Sequence, residues 1–158
     1  MTEITLRPVT ADDQLFLFDL YSSTRPDIAR LDWDGAAKLA FLKMQFEMQT
    51  NAYRMQYPDA EHRVVLFGDD RAGRLIVDRC DEADNLIDIA VLPPFRQNGI
   101  ASCVVRGLQA EVATSGKALT LFAYNDNEPA RRLYMRLGFK ETGRNEVGAE
   151  MAWTVPRS

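Results

Sequence analysis

Arg96 and the six residues after it, Gln97-Asn98-Gly99-Ile100-Ala101-Ser102, follow an apolar run that closes on Pro93 and Pro94. A strand that turns through a glycine into a helix leaves its first main-chain N–H groups without intrahelical acceptors. Together with the helix dipole, those groups suit an anion such as phosphate. Gly99 permits close backbone approach and positive φ. Ala101 keeps the first turn open, and Arg96 adds positive charge. Many βα turns also contain a glycine for purely structural reasons, so the elbow alone leaves both readings open. GxxxxGK[ST] is absent, and no GxGxxG follows a strand, which argues against an NTPase or a dinucleotide oxidoreductase.

Other chemistry-bearing residues are few. The two cysteines, Cys80 and Cys103, and the single histidine, His62, form no CxxC or HExxH spacing, so no metal site is expected. No GxSxG elbow accompanies His62, which reads as a surface or packing residue. Cys103 falls on the apolar side of its helix and reads as packing. Asp88 interrupts an otherwise apolar strand. It is either a candidate proton acceptor or the partner of Arg74 or Arg79 on a neighbouring strand. Asn127 precedes Glu128 and Pro129, the pattern of a helix N-cap.

The 158 residues are 46% hydrophobic, enough for one domain spanning residues 1–158 with its own core. A net charge of −4 argues against nucleic acid or an anionic membrane as the main partner and still allows a local site for a small anion. No apolar run approaches membrane-spanning length, and "MTEITLRPVT" lacks the basic start and apolar block of a signal peptide. A cytoplasmic, reducing location is the expectation.

The elements that position these residues follow from periodicity. "ITLRPV" alternates like a half-buried strand, and Thr10 and Asp12 signal a helix start before "DQLFLFDLY", which breaks at Pro26. A long helix is expected from Asp34 to Tyr57. Its two apolar stripes, one through Leu42 and Phe46 and one through Met44 and Met48, exceed one core face. They predict burial on two sides, or a helix that also lines a substrate cleft or a subunit interface, so a homodimer is plausible. "HRVVLF" and "AGRLIVDRC" read as strands joined by a turn, and "NLIDIAVL", apolar on both faces, as a central strand. A helix from Gly99 to Gly116, the strand "ALTLFAY", the helix "NDNEPARRLYMRLGF" stopped by Gly138, and the strands "FKETG" and "EMAWTV" complete the chain. The order βααβββαβαββ predicts an α/β (α+β) fold, a mixed sheet with helices on both faces.

"LIDIAVLPPFRQNGIA" followed by "NDNEPARRLYMRLGF" resembles the GNAT superfamily of acyl-CoA-dependent N-acyltransferases. Arg96-Gln97-Asn98-Gly99-Ile100-Ala101 is similar to that family's [QR]-x-x-G-x-[GA] pyrophosphate loop. Asn127, Ala130, Leu133, Tyr134, Gly138 and Phe139 match its N-x-x-A-x-x-L-Y-x-x-x-G-F helix. The two motifs cover roughly residues 86 to 140, about a third of the chain.

The resemblance implies a GNAT-like sheet with splayed central strands, acetyl-CoA as acyl donor and no metal. Backbone donors from Gln97 to Ser102 would cradle the pyrophosphate, with Arg96 nearby. Ile89, Ala90 and Val91 would pair with the pantetheine arm by strand addition, and Asn127 would hydrogen-bond the same arm. Tyr134 would protonate the leaving thiolate or hydrogen-bond it. The acceptor would be a primary amine on a small molecule or peptide, attacking directly, with the Val91 N–H as a candidate oxyanion donor. Burial is expected to tune Asp88 as the base. Many family members carry a carboxylate on the later strand, where this chain has Phe122 in "LTLFAYN". That departure supports a second reading, a non-catalytic acyl-CoA-binding or regulatory module; Tyr124 and ordered water are further candidates for the proton. The acceptor pocket is expected around Arg25 to Asp34, where Asp27, Asp32 and Asp34 could attract a cation or simply surround a helix start, and around Asn145 to Met151.

Overall fold

Residues 2–156 are described by a computed structural model of the chain. The elements are β1 (Ile4–Pro8), α1 (Gln14–Ser23), α2 (Pro26–Ala29), α3 (Gly35–Gln56), β2 (Glu61–Phe67), β3 (Asp70–Arg79), β4 (Ala83–Val91), α4 (Ile100–Ser115), β5 (Ala118–Tyr124), α5 (Glu128–Arg136), β6 (Lys140–Arg144) and β7 (Gly148–Trp153). The strands form one sheet in the order β1-β2-β3-β4-β5-β7-β6. Only β4 and β5 are parallel; every other pair is antiparallel. The predicted order therefore holds, with one addition. Pro26 does more than stop α1, because its fixed φ also suits the first turn of the short α2.

Alternation along the strands sorts the sheet's two faces. Leu119, Leu121 and Ala123 of β5 and Ala149 and Met151 of β7 pack with Val104, Val105, Leu108 and Val112 of α4 and Tyr134 of α5. Val64 of β2 faces the other way, against Phe16, Leu17 and Leu20 of α1, with Phe46 of α3 at the edge. Helices thus cover both faces. α3 does so thinly, and the expectation that it is buried on two sides is not met. None of its residues is buried, and Leu39, Met44, Met48 and Met55 are exposed. The helix packs on one face of the sheet only, with Phe46 against the α1 cluster and Gln49 reaching Arg74 of β3.

Two features set the geometry of the central strands. At their N-terminal ends, β4 and β5 are stapled by Asp84, which is buried. It accepts from Arg79 Nη1 at 2.8 Å and from Lys117 Nζ at 3.1 Å, the latter one residue before β5. Further along, the β3–β4 register jumps from Val77↔Leu86 to Ile76↔Asp88, leaving Ile87 as a bulge. A bulge adds twist and bends its strand. It also shifts the inward parity: Leu86 faces the α4 core, and beyond the bulge Ile89 and Val91 do. Asp88 and Ala90 then face the α1–α3 side, where Ala90 packs on the smaller cluster.

Candidate active site

Pairing between β4 and β5 ends at Leu86↔Leu121. Beyond it β5 continues against β7 alone, from Phe122↔Glu150 to Tyr124↔Gly148, while Asp88 to Val91 continue against β3. The central strands are therefore splayed, and the gap opens into a cleft of about 740 Å³. Asn85 to Ile89, Thr120 to Tyr124, and Tyr134 of α5 with its N-cap Asn127 line it, together with Tyr53 of α3, Tyr57 just past the end of α3, and Glu150 of β7.

The main chain of β4 offers donors and acceptors to this gap. Leu92 N–H donates to Ala72 O at 2.8 Å, which fixes the alternation of the antiparallel ladder. The Ala90 main chain consequently faces Arg74 on β3, and Ile89 and Val91 turn toward the open side. Of the three expected main-chain contacts, Ala90 is thus already engaged with its own sheet. The Val91 carbonyl accepts from Arg96 Nε at 3.0 Å. Arg96 is therefore part of the elbow's construction, tying it back to the strand end.

After a 3₁₀ turn at Pro93–Phe95, the elbow places both Gln97 (φ 67°) and Gly99 (φ 71°) in the left-handed region. Asn98 Nδ2 closes the loop by donating to Phe95 O at 2.9 Å and Arg96 O at 3.2 Å. Helical bonding begins only with Cys103 N–H to Gly99 O, at 2.9 Å. None of the N–H groups from Gln97 to Ser102 has an acceptor among the described residues. The elbow lies past the end of β4 and does not line the cleft. Cys103 is exposed, not packed as expected, because the buried stripe of α4 runs through Ile100, Val104 and Val105.

Tyr134 is buried, with its ring 5.6 Å from that of Phe139 in an edge arrangement. Its hydroxyl makes no hydrogen bond to a described residue and keeps contact with the cleft. Burial, reinforced by the nearby Asp88 charge, pushes this phenol up to about 12. Burial and Asp88 likewise push Tyr53 up to about 12, against the opposing effect of Arg74. Asn127 caps α5, its Oδ1 accepting from Ala130 N–H at 3.4 Å, and its Nδ2 is left to the cleft.

Asp88 pairs with Arg74, one of the two partners expected. Nε donates at 3.0 Å and Nη2 at 2.5 Å, both to Oδ2. Oδ1 is not engaged by any described residue. The guanidinium is buried behind the strand and is steadied by Gln49 Oε1 at 3.3 Å. Of the expected acceptor regions, only the second borders the cleft, through Asn145, Val147, Glu150 and Met151. Residues 25–34 do not line it. Asp27 pairs with Arg25, and Asp34 caps α3 by accepting from Ala37 N–H at 2.7 Å. His62 sits half-buried on β2, its pKa lowered by burial and then by Arg74 and Arg54, and it does not line the cleft.

Glu150 lies within the expected stretch from Asn145 to Met151, although the sequence did not single it out. It stands directly across from Phe122, on the same face, so a carboxylate occurs on β7 beside the position where β5 lacks one. The alternation in "GAEMAW" marks it as outward-facing, but only the β5–β7 register brings it to the cleft.

Residues 72–147 match the family model described as FR47-like protein. No curated protein sequence matches the chain. Among solved structures, the fold is similar to PaiA N-acetyltransferase from Thermoplasma acidophilum in complex with coenzyme A. The TM-score is 0.71 at 13% identity, over 96% of this chain and 99% of that one. It is also similar to the ribosomal-protein-S18-alanine N-acetyltransferase from Escherichia coli (TM-score 0.64, 17% identity, 99% and 96% covered). A third is Naa50 from Arabidopsis thaliana in complex with the bisubstrate analogue CoA-Ac-MVNAL (TM-score 0.64, 14% identity, 96% and 98% covered).

Proposed function

We propose that the chain, which has the GNAT fold and an FR47-like segment over residues 72–147, is an N-acetyltransferase moving an acetyl group from acetyl-CoA to a primary amine. One observation carries the reading. At the C-terminal end of β4, a row of N–H groups without protein acceptors adjoins a gap between splayed strands, and the Tyr134 hydroxyl opens into that gap. The row from Gln97 to Ser102 takes the pyrophosphate. The Ile89 main chain takes a pantetheine amide, with Asn127 Nδ2 as a further donor. The Val91 N–H is the donor for the oxyanion.

In the reaction the amine nitrogen attacks the thioester carbon, the new C–N bond forms, and the C–S bond breaks to release the coenzyme A thiolate. The ammonium proton passes to Asp88 Oδ1 or to water. A phenol held near 12 and a thiol near 8.5 differ by roughly 3.5 units, about 5 kcal/mol. That mismatch favours Tyr134 as a hydrogen-bond donor to the sulfur over complete proton transfer. Holding amine and thioester together supplies the remaining gain by proximity.

Release of free thiol from acetyl-CoA in the presence of a primary-amine panel tests the reading. Tight coenzyme A binding without transfer to any amine would instead support the non-catalytic module, a reading favoured by Phe122 on β5 and by the ion-paired state of Asp88. The exposed apolar stripe of α3 supports a homodimer, which sedimentation velocity checks. The two free, exposed cysteines agree with a reducing, cytoplasmic location. No helix among the described residues is long and apolar enough to cross a membrane.

A further inference from the structure

Among the described residues, the charged ones that line the cleft are Asp88 and Glu150, with no lysine, arginine or histidine beside them. Their situations differ. Asp88 is matched by the buried Arg74 behind it. The Glu150 carboxylate has neither an ion pair nor a hydrogen bond with any described residue. It leans over β6, where Oε2 lies 3.3 Å from the position a Cβ on Gly143 would take. The cleft therefore carries an uncompensated negative charge on β7, separated from Asp88 of β4 by β5.

The surroundings of that charge are aromatic. Phe122 is the cross-strand neighbour of Glu150, and its ring meets that of Tyr124 edge-on at 5.0 Å between centroids. Tyr57 faces the same space from the C-terminal cap of α3, its phenol raised by burial with Asp78 and Tyr124 contributing. A carboxylate beside aromatic faces is a recognition set for an ammonium or guanidinium group. The unpartnered hydroxyl of the buried Tyr134 points into the same cleft and marks it independently as a ligand site.

Glu150 is displaced from the point of transfer. β5 stands between β7 and the gap, so Glu150 is about one strand spacing, roughly 5 Å, further from the gap than the β5 side chains. An amine attacking a thioester in the gap needs its base within about 3 Å, and Asp88 borders the gap directly. We propose that Glu150, with Phe122 and Tyr124, is a subsite for a second positive charge on the acceptor, so that the preferred substrates are dications whose two cationic groups lie roughly 5–10 Å apart. A free diamine and a basic side chain beside the reacting amine of a peptide share this chemistry.

The proposal rests on the transfer reading for its kinetic test and stands apart from it in a binding test. In the kinetic arm, 1,4-diaminobutane and butylamine are compared as acceptors, with a tripeptide carrying a lysine next to its N-terminus and its alanine counterpart. The dicationic member of a pair is expected to have at least tenfold higher kcat/KM. Glu150→Gln should bring that ratio toward one, through KM and not kcat; Glu150→Asp should restore part of it. The pair with the larger ratio identifies the source of the second charge. In the binding arm, calorimetry of the coenzyme A-loaded protein should show 1,4-diaminobutane binding that Glu150→Gln weakens at least tenfold. Equal kcat/KM for the members of both pairs, or diamine binding indifferent to Glu150→Gln, overturns the subsite. Thiol release absent with every amine, alongside diamine binding that depends on Glu150, overturns the transfer reading and leaves the subsite standing.

Discussion

Arg74 reaches diagonally from β3 to Asp88 on β4, and both of its donor groups contact the same carboxylate oxygen, Oδ2. Oδ1 is left for the cleft. The pair fixes the rotamer of Asp88 just past the bulge at Ile87, where β4 departs from β5.

Breaking this pair from one side is expected to be costly. Arg74 is buried and Asp88 is about three-quarters buried, so Arg74→Met leaves a carboxylate without its counter-charge. Removing one partner of a buried pair costs about 3–5 kcal/mol, and the partial exposure of Asp88 lowers the expectation to about 2–4. Urea unfolding measures it, and the double variant Arg74→Met/Asp88→Asn should recover at least half.

Tyr134→Phe separates binding from chemistry. The ring stays in its packing against Phe139, and only a hydroxyl without a protein partner is lost. Coenzyme A affinity is expected within threefold of wild type by calorimetry, while kcat falls about 10- to 100-fold, at or below the roughly 100-fold minimum of a full general acid, as suits a hydrogen-bond donor. Unchanged kcat would remove Tyr134 from the reaction.

The same phenol makes the protein sensitive to alkali. In the unfolded chain it titrates near 10, whereas burial holds it near 12 in the fold. Below pH 10 both states keep the proton and nothing is lost. Between about pH 10 and 12 the unfolded state releases it first, so stability falls as pH rises, by up to about 3 kcal/mol for Tyr134. Tyr53 adds a smaller contribution because it is only partly buried. Denaturant midpoints across that range should show a shallower decline for Tyr134→Phe than for wild type.

The parts legible in the sequence are those whose signals are local. α3 was bounded to within a residue or two by Asp34 and Pro58, and α5 by Asn127, Pro129 and Gly138, because caps and stops act within one turn. The elbow residues are local in the same sense. The bulge at Ile87 belongs to a pairing between two strands and leaves no mark in the composition of "NLIDIAVL". For a similar reason Glu150 was not singled out, since its place beside Phe122 depends on the β5–β7 register. The stripes of α3 misled because periodicity counts apolar residues and says nothing of how many layers are present to cover them. Cys103 was one helical step off the buried stripe.

Gly99 tests the anion site through backbone conformation alone. A Cβ there would meet nothing within 4 Å, so a side chain does not collide with the protein. The obstacle is φ 71°, which a β-branched residue adopts poorly, at a cost of about 1–3 kcal/mol. Gly99→Val is therefore expected to turn the elbow away and weaken acetyl-CoA binding at least tenfold, with far-ultraviolet circular dichroism unchanged. Gln97→Gly should retain binding, because φ 67° at Gln97 already suits glycine. Wild-type affinity in Gly99→Val would refute the role given to the N–H row.

Gly73 and Gly107 form an opposed pair of alanine substitutions. At Gly73 a Cβ would lie 2.3 Å from the Ala90 carbonyl oxygen and 3.3 Å from Val91 Cα, so β3 and β4 must separate to admit it. That separation would act on the stretch of β4 that presents Ile89 and Val91 to the gap. Gly73→Ala is expected to cost about 1–3 kcal/mol, as overpacking does, and to weaken coenzyme A binding several-fold. Gly107 lies inside α4 with open space where its Cβ would stand. Gly107→Ala should stabilise by about 0.5–1 kcal/mol, because alanine gives up less backbone entropy in a helix, and should leave coenzyme A binding unchanged. Thermal unfolding with and without coenzyme A reads both effects. Equal shifts for the two substitutions would mean that close contact between β3 and β4 does not hold the gap in shape.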